Sequence, residues 1–268
     1  MTIHRFTSSD GVGLAYEEFG EANSGTPLVF CHGIAVNGEQ FHEDAAWFAA
    51  RGHRVLVPHL RGHGLSDSPV PVGRETLTIA RLAADLVEML DDAKAPKVHW
   101  VGNSLGGIVA LEMLKAGRFE TMTTFGTSYS IKLPVAGARI FVPLWHRSLG
   151  RNTAAGVAAH FTSTDTAARR LIDKMLRVMR IEVVAAIGDN LTWYDLIAEG
   201  AKATIPILML YCNRDRLVNL ALWQTLGVMR KRPNFRLVDL PKGGHCANLE
   251  VADEFRAALV EFWASVAR

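Results

Sequence analysis

Gly102-Asn103-Ser104-Leu105-Gly106-Gly107 lies between Lys97-Val98-His99-Trp100-Val101, which reads as a buried strand, and Ile108 to Lys115, which reads as a helix. A serine in GxSxG at a strand-to-helix turn takes a strained backbone that lifts its hydroxyl off the sheet, and the flanking glycines leave the room that side chains would fill. Ser104 is the candidate nucleophile; the plainer alternative is a glycine-rich link. A serine alone attacks poorly, so it requires an imidazole to take its proton and an acid to hold that imidazole in the right tautomer. Ile205 to Tyr211 reads as a strand running into Cys212-Asn213-Arg214-Asp215, and Phe235 to Leu240 as one running into Pro241-Lys242-Gly243-Gly244-His245. Asp215 and His245 therefore fall just past two later strands. In isolation Asp215 would read as the cap of a helix starting near Asn219, and His245 as a loop histidine, although Gly243-Gly244 gives the backbone freedom to aim a ring across a sheet. Asp189, Asp195 and Asp239 are weaker acid candidates.

Those three residues need a scaffold. Ile3 to Thr7 and Gly13 to Phe19, joined at Ser9-Asp10-Gly11, read as an antiparallel edge hairpin. Further apolar strands are expected at Pro27 to Cys31, His53 to Pro58, Val98 to Val101 and Met122 to Phe125. Thr76 to Asp92 carries Ile79, Leu82, Ala83, Leu86, Met89 and Leu90 at three- and four-residue steps, and the last helix repeats the pattern with Leu249, Phe255, Leu259, Phe262 and Val266. Strand and helix in alternation predict an α/β fold, a doubly wound, mostly parallel sheet with helices on both faces, which gathers sites at the carboxyl ends of its strands. The alternation stops between Ser128 and Thr204, where the patterns are helical, notably Thr166 to Val184 with Leu171, Ile172, Met175, Leu176, Met179 and Val183 on one side. The expected organisation is a core of 1–127 and 205–268 with a helical lid at 128–204. Met175 and Met179 read first as core packing and second as the lining of an apolar pocket.

With these residues in view, the chain resembles the α/β-hydrolase superfamily from end to end. The resemblance rests on the order Ser104, Asp215, His245, on Cys31-His32-Gly33 after a strand, on Arg61-Gly62-His63-Gly64-Leu65-Ser66, on the elbow, and on Gly243-Gly244-His245 followed by Leu249-Glu250. It implies an oxyanion hole made by the backbone N–H groups of Ile34 and Leu105, each well-aimed donor contributing roughly 3 kcal/mol to the transition state. It also implies a cofactor-independent serine hydrolase of a small carboxylic ester or lactone. A serine at the elbow argues against the dehalogenase and epoxide-hydrolase branches, which use an aspartate. Gly102-Asn103-Ser104 with Gly106-Gly107 also looks like the elbow of enzymes that cleave a carbon–carbon bond in vinylogous diketones from aromatic ring cleavage. A perhydrolase-type activity on the same residues stays open, as does a ligand sensor that binds on this scaffold without turnover. Members often carry an aspartate two residues before the arginine of RGxGxS; this chain has His59 there.

The remaining features bound the answer. At 268 residues and 49% apolar, the chain can bury one large core, and a net charge of +2 gives no sign of a nucleic-acid partner. The amino terminus has no apolar stretch of signal-peptide length and no run approaches a bilayer span, so a soluble, cytoplasmic protein is expected, acting on a small molecule without a membrane partner. Cys31, Cys212 and Cys246 lack CxxC spacing and read as free thiols; Cys246 has no elbow of its own. His32, His59 and His63 fall near strand ends, but no carboxylate completes a zinc-like spacing, so neither a metal nor a cofactor is expected. Arg139, Arg147, Arg151, Arg169, Arg170, Lys174, Arg177 and Arg180 make the lid cationic. The expected reading is a solvated face, and one arginine turned inward would select a carboxylate. The sequence does not set the oligomeric state.

Overall fold

In the computed structural model, which describes residues 1–132 and 138–266, the chain runs β1 (Thr2–Thr7), β2 (Gly13–Phe19), β3 (Leu28–Cys31), α1 (His42–Ala49), β4 (Val55–His59), α2 (Ile79–Asp92), β5 (Val98–Asn103), α3 (Leu105–Met113) and β6 (Phe119–Phe125). It continues through β7 (Ser130–Lys132), α4 (Ala138–Leu149), α5 (Arg151–Thr162), α6 (Thr166–Val178), α7 (Ile181–Leu191), β8 (Trp193–Asp195) and α8 (Ile197–Lys202). Then follow β9 (Ile207–Cys212), α9 (Arg216–Met229), β10 (Phe235–Leu240), α10 (Ala247–Glu250) and α11 (Ala252–Val266). Eight strands form one sheet in the order β1-β2-β4-β3-β5-β6-β9-β10. β1 pairs antiparallel with β2, and β2 with β4, while every later pairing is parallel. The expected edge hairpin and the mostly parallel sheet are both present.

The sheet is covered on both faces, and its central strand β3 is apolar at every position. All of β3 is buried, and its side chains alternate: Val29 and Cys31 join the cluster of Trp100, Leu105, Val109, Leu82 and Leu86, while Leu28 and Phe30 join Phe41, Phe48, Phe125, Phe255 and Leu259. Such two-sided burial at a two-residue period is the signature of an interior strand. α2 and α3 lie on the first face, α1 and α11 on the second. Thr78 caps α2 by accepting from Arg81 N–H, so that helix starts three residues later than its apolar pattern suggests.

Between β6 and β9 the chain departs from the sheet. The segment expected as one helix from Thr166 to Val184 is two, broken at Met179 and Arg180, whose backbones are extended. The apolar period crosses the break because each helix has its own partner. Ile172, Met175 and Leu176 of α6 pack on Ala35 and Val36 beside β3, whereas Val183, Ala186 and Ile187 of α7 join the main core. Two three-residue strands, β7 and β8, pair antiparallel at the base of this segment; each is too short to show an alternation in sequence.

The Arg61 loop is the main buried ionic tie. Its guanidinium, 0% exposed, donates to Asp85 at 2.7 and 2.7 Å and to Asp10 at 2.7 and 2.7 Å. Those bonds hold the Asp10 carboxyl well below its ordinary range. Arg61→Met leaves the buried Asp85 with Arg81, at 2.9 Å, as its remaining cation, and is expected to lower unfolding free energy by about 2–3 kcal/mol in a urea titration. A loss below about 1 kcal/mol would contradict this role.

Candidate active site

The elbow forms as its glycines require. Ser104 is held at φ 50, ψ −113, a conformation costing a non-glycine residue about 1–3 kcal/mol that the surroundings must enforce. Its N–H donates to Phe125 O at 3.0 Å, and its carbonyl accepts from Gly107 N–H at 3.0 Å and Ile108 N–H at 3.1 Å. A Cβ on Gly102 would lie 2.5 Å from the Gly106 carbonyl carbon, and one on Gly106 2.3 Å from Cys31 O. Leu105 follows as the first residue of α3, whose first turn of free N–H groups carries the positive end of the helix dipole.

Asp215 and His245 meet. The Asp215 carboxylate Oδ2 accepts from His245 Nδ1–H at 2.7 Å, with Asp215 buried and His245 about a quarter exposed. Its other oxygen accepts from Val218 N–H at 3.3 Å as the N-cap of α9, so one carboxylate both caps a helix and holds the His245 ring. That helix begins at Arg216, not near Asn219. Burial disfavours charge on the His245 ring, but the hydrogen bond and charge of Asp215, with the charge of Glu250, outweigh it and raise its pKa above 6.5. Asn103 Nδ2 donates to His245 O at 2.9 Å, which places the histidine loop beside the elbow. Ser104 follows Asn103 directly, so the bond from Asn103 to the His245 carbonyl ties the histidine loop to the elbow; hydrogen bonds between a catalytic serine and its base characteristically tighten only when substrate binds.

The turn after β3 faces Ser104. A Cβ on Gly33 would stand 3.3 Å from Ser104 Cβ. His32 Nδ1–H donates to Gly33 O at 2.7 Å, while its Nε2 accepts from Leu60 N–H at 3.1 Å. In a trans peptide the carbonyl and the following N–H point in opposite directions, so this bond also fixes the direction of Ile34 N–H. Ala35, at φ 67, donates its N–H to His63 Nε2 at 3.3 Å, and His63 Nδ1–H donates to Arg61 O at 3.0 Å. Burial holds His32 well below 6.5 and His63 at about 4, so both rings are neutral and both ring nitrogens are used in holding backbone.

His59 has a different task. Its Nε2 lies 3.7 Å from Glu17 Oε2, which also takes His42 Nε2 at 2.6 Å. Burial alone would raise the Glu17 pKa, but the two histidines outweigh it and bring it to about 2. A carboxylate on the neighbouring strand β2 thus faces position 59, without a hydrogen bond to His59 Nε2. A buried glutamate inside a strand gave no signal in sequence. A trio of possible ligand atoms does occur among the described residues, at His4, Glu18 and Glu21, but Arg54 Nε already donates to Glu18 at 2.5 Å.

Other candidates stand apart. Asp195 is exposed and paired with Lys132 at 2.6 Å, Asp239 is exposed in β10, and Asp189 is buried in α7. Cys31, Cys212 and Cys246 are buried free thiols, which burial pushes above their ordinary pKa. Met175 is buried against Ala35 and Val36, and Met175 and Met179 also border a cavity of about 100 Å³ with Ala35, His63 and Arg180.

The chain matches the model of the alpha/beta hydrolase family over residues 28–258. It belongs to that family and is a hydrolase. A 101-residue stretch is 38% identical to a non-heme chloroperoxidase of Streptomyces lividans, covering 38% of this chain and 35% of that protein. Over 262 residues it is 26% identical to a 2-hydroxy-6-oxononadienedioate/2-hydroxy-6-oxononatrienedioate hydrolase of Burkholderia vietnamiensis, covering 92% of this chain and 89% of the relative. The structure of an esterase from Rhodococcus sp. ECU1013 superposes with a TM-score of 0.82 at 23% identity, covering 99% of this chain and 100% of that one, and so shares the fold. Among the described residues of this hydrolase, no helix is long and apolar enough to cross a membrane.

Proposed function

We propose that this hydrolase cleaves small carboxylic esters or lactones through an acyl-enzyme on Ser104, His245 and Asp215, with residues 128–204 as a lid on a core of 1–127 and 205–268. The observation that carries the reading is the 2.7 Å Asp215–His245 bond beside a serine strained at φ 50. His245 takes the Ser104 proton as the hydroxyl attacks the carbonyl, and the N–H groups of Ile34 and Leu105 receive the oxyanion. The alkoxide leaves with that proton, and water, deprotonated by the same ring, releases the acid. No cofactor enters this sequence of steps.

The lid supports an uncharged substrate. α5 and α6 pack Ala155, Ala159, Ile172 and Met175 against Ala35, Val36 and Cys246, so the layer next to the oxyanion turn is apolar. The lid cations are engaged elsewhere: Arg151 on the carbonyls of Arg177 and Met179, Arg169 on those of Ser163 and Thr164, Arg177 on Asp173 and Lys174 on Glu39. Arg147 and Arg170 are exposed, and the Arg139 side chain lies outside the described residues. Arg180 donates to Ser66 O at 2.7 Å and borders the small cavity.

The similarity to the Burkholderia relative keeps carbon–carbon bond cleavage as the second reading, with Arg180 as the group that would receive a substrate carboxylate. The chloroperoxidase similarity likewise keeps a perhydrolase reaction open. A panel of aryl and alkyl esters, lactones and a carboxylate-bearing ring-fission diketone separates them. Steady turnover of an uncharged ester or lactone, with kcat/KM at least ten-fold above the diketone, is the expected outcome. Preference for the diketone, or binding without turnover, would overturn it.

A further inference from the structure

Where the oxyanion turn, the elbow and the histidine loop converge, a chain of buried side-chain amides lies outside every step just described. We propose that Gln40 and Asn103 are positioning residues: the contact between their two amides sets the Ile34 donor and His245 at fixed spacing from Ser104. This inference rests on the reading of the site given above.

Gln40, in the 3₁₀ turn Gly38–Phe41, and Asn103, at the end of β5, are each 1% exposed. Gln40 Oε1 accepts from Gly33 N–H at 3.3 Å, and Gln40 Nε2 donates to Asn103 Oδ1 at 3.0 Å and to Asn248 Oδ1 at 3.2 Å. Asn103 Nδ2 in turn donates to His245 O at 2.9 Å and to Phe125 O at 3.3 Å. Asn248 completes the frame, donating to Gln40 O at 2.8 Å and Asp44 Oδ2 at 3.0 Å, and Asp44 is held by Arg256 at 2.7 Å. Both N–H groups of Gln40 and both of Asn103 are spent. Turning either amide over would set donor against donor, so the orientation of each is unique.

The chain of bonds reads Gly33 N–H to Gln40, Gln40 to Asn103, Asn103 to the His245 carbonyl. Each end is one residue from, or part of, a reacting group: Gly33 precedes Ile34, Asn103 precedes Ser104, and His245 is the base. A backbone shift of about 1 Å at such a site costs on the order of 10²-fold in rate. Ground-state binding by the apolar lid does not pass through these amides.

The test compares Gln40→Met, Asn103→Ala and the double variant with the parent, on the parent's best ester, well below the melting temperature. Expected are kcat losses of about 10–100-fold in each single variant with KM within about two-fold, and a double variant no slower than the slower single one. The rate at which a fluorophosphonate modifies Ser104 falls in step. Folded variants with parental kcat, or losses that multiply in the double variant, would overturn the proposal. Should Gln40→Met fail to fold, Asn248→Ala removes the outer support of Gln40 while leaving Gly33 and Asn103 untouched. A several-fold kcat loss at constant KM supports the proposal, and parental kcat overturns it. A parent that turns over only the diketone refutes the ester reading, yet the same variant ratios on that substrate still decide this one.

Discussion

Asp215→Asn is expected to lower kcat/KM by about 10⁴-fold while leaving stability within about 1 kcal/mol. The two effects separate because Asp215 does two things with two oxygens. Its Oδ1 caps α9 at Val218 N–H, and asparagine is an equally good N-cap. Its Oδ2 holds His245 Nδ1–H at 2.7 Å, and there an amide N–H would favour the tautomer with its proton on Nε2, which cannot accept the serine proton. The pH dependence supplies an independent check. In the parent the ring's pKa is raised above 6.5, because Asp215 and Glu250 more than offset burial. The imidazole is a base only above that raised value, so activity falls as pH drops through it. Without the aspartate, burial is opposed by Glu250 alone, and the acid limb of the residual rate moves to lower pH. Profiles of kcat/KM between about pH 5 and 9 measure both effects. A loss under ten-fold, or an unmoved limb, would contradict the assignment.

What was legible in the sequence follows from how local each signal is. The elbow announces itself because a positive-φ serine needs Gly102 and Gly106 within five residues, and strand ends place Asp215 and His245 because apolar runs stop at polar turns. The break at Met179 and Arg180 was hidden, since α6 and α7 bury stripes of the same period against different clusters. Glu17 was hidden too. Its buried pairing with His42 and His59 joins residues 25 and 42 positions away, and nothing in a strand's alternation distinguishes a paired glutamate from an exposed one. The Gln40–Asn103–Asn248 frame spans 208 positions, a distance across which no spacing rule operates. Metal binding at His32 and His63 is countered by geometry, since each ring already spends both nitrogens on backbone.

The central claim is that Ser104 becomes the acyl carrier. Ser104→Ala removes one oxygen from a residue that is partly exposed at the head of α3, so the fold is expected to persist while turnover of an activated ester falls by about 10⁵–10⁶-fold. The most direct measurement is intact mass after treatment with a fluorophosphonate, followed by peptide mapping. The account predicts one adduct per chain, on Ser104, appearing as activity disappears and absent from Ser104→Ala. An adduct on another residue, or a Ser104→Ala protein that still turns over ester at the parental rate, would contradict it.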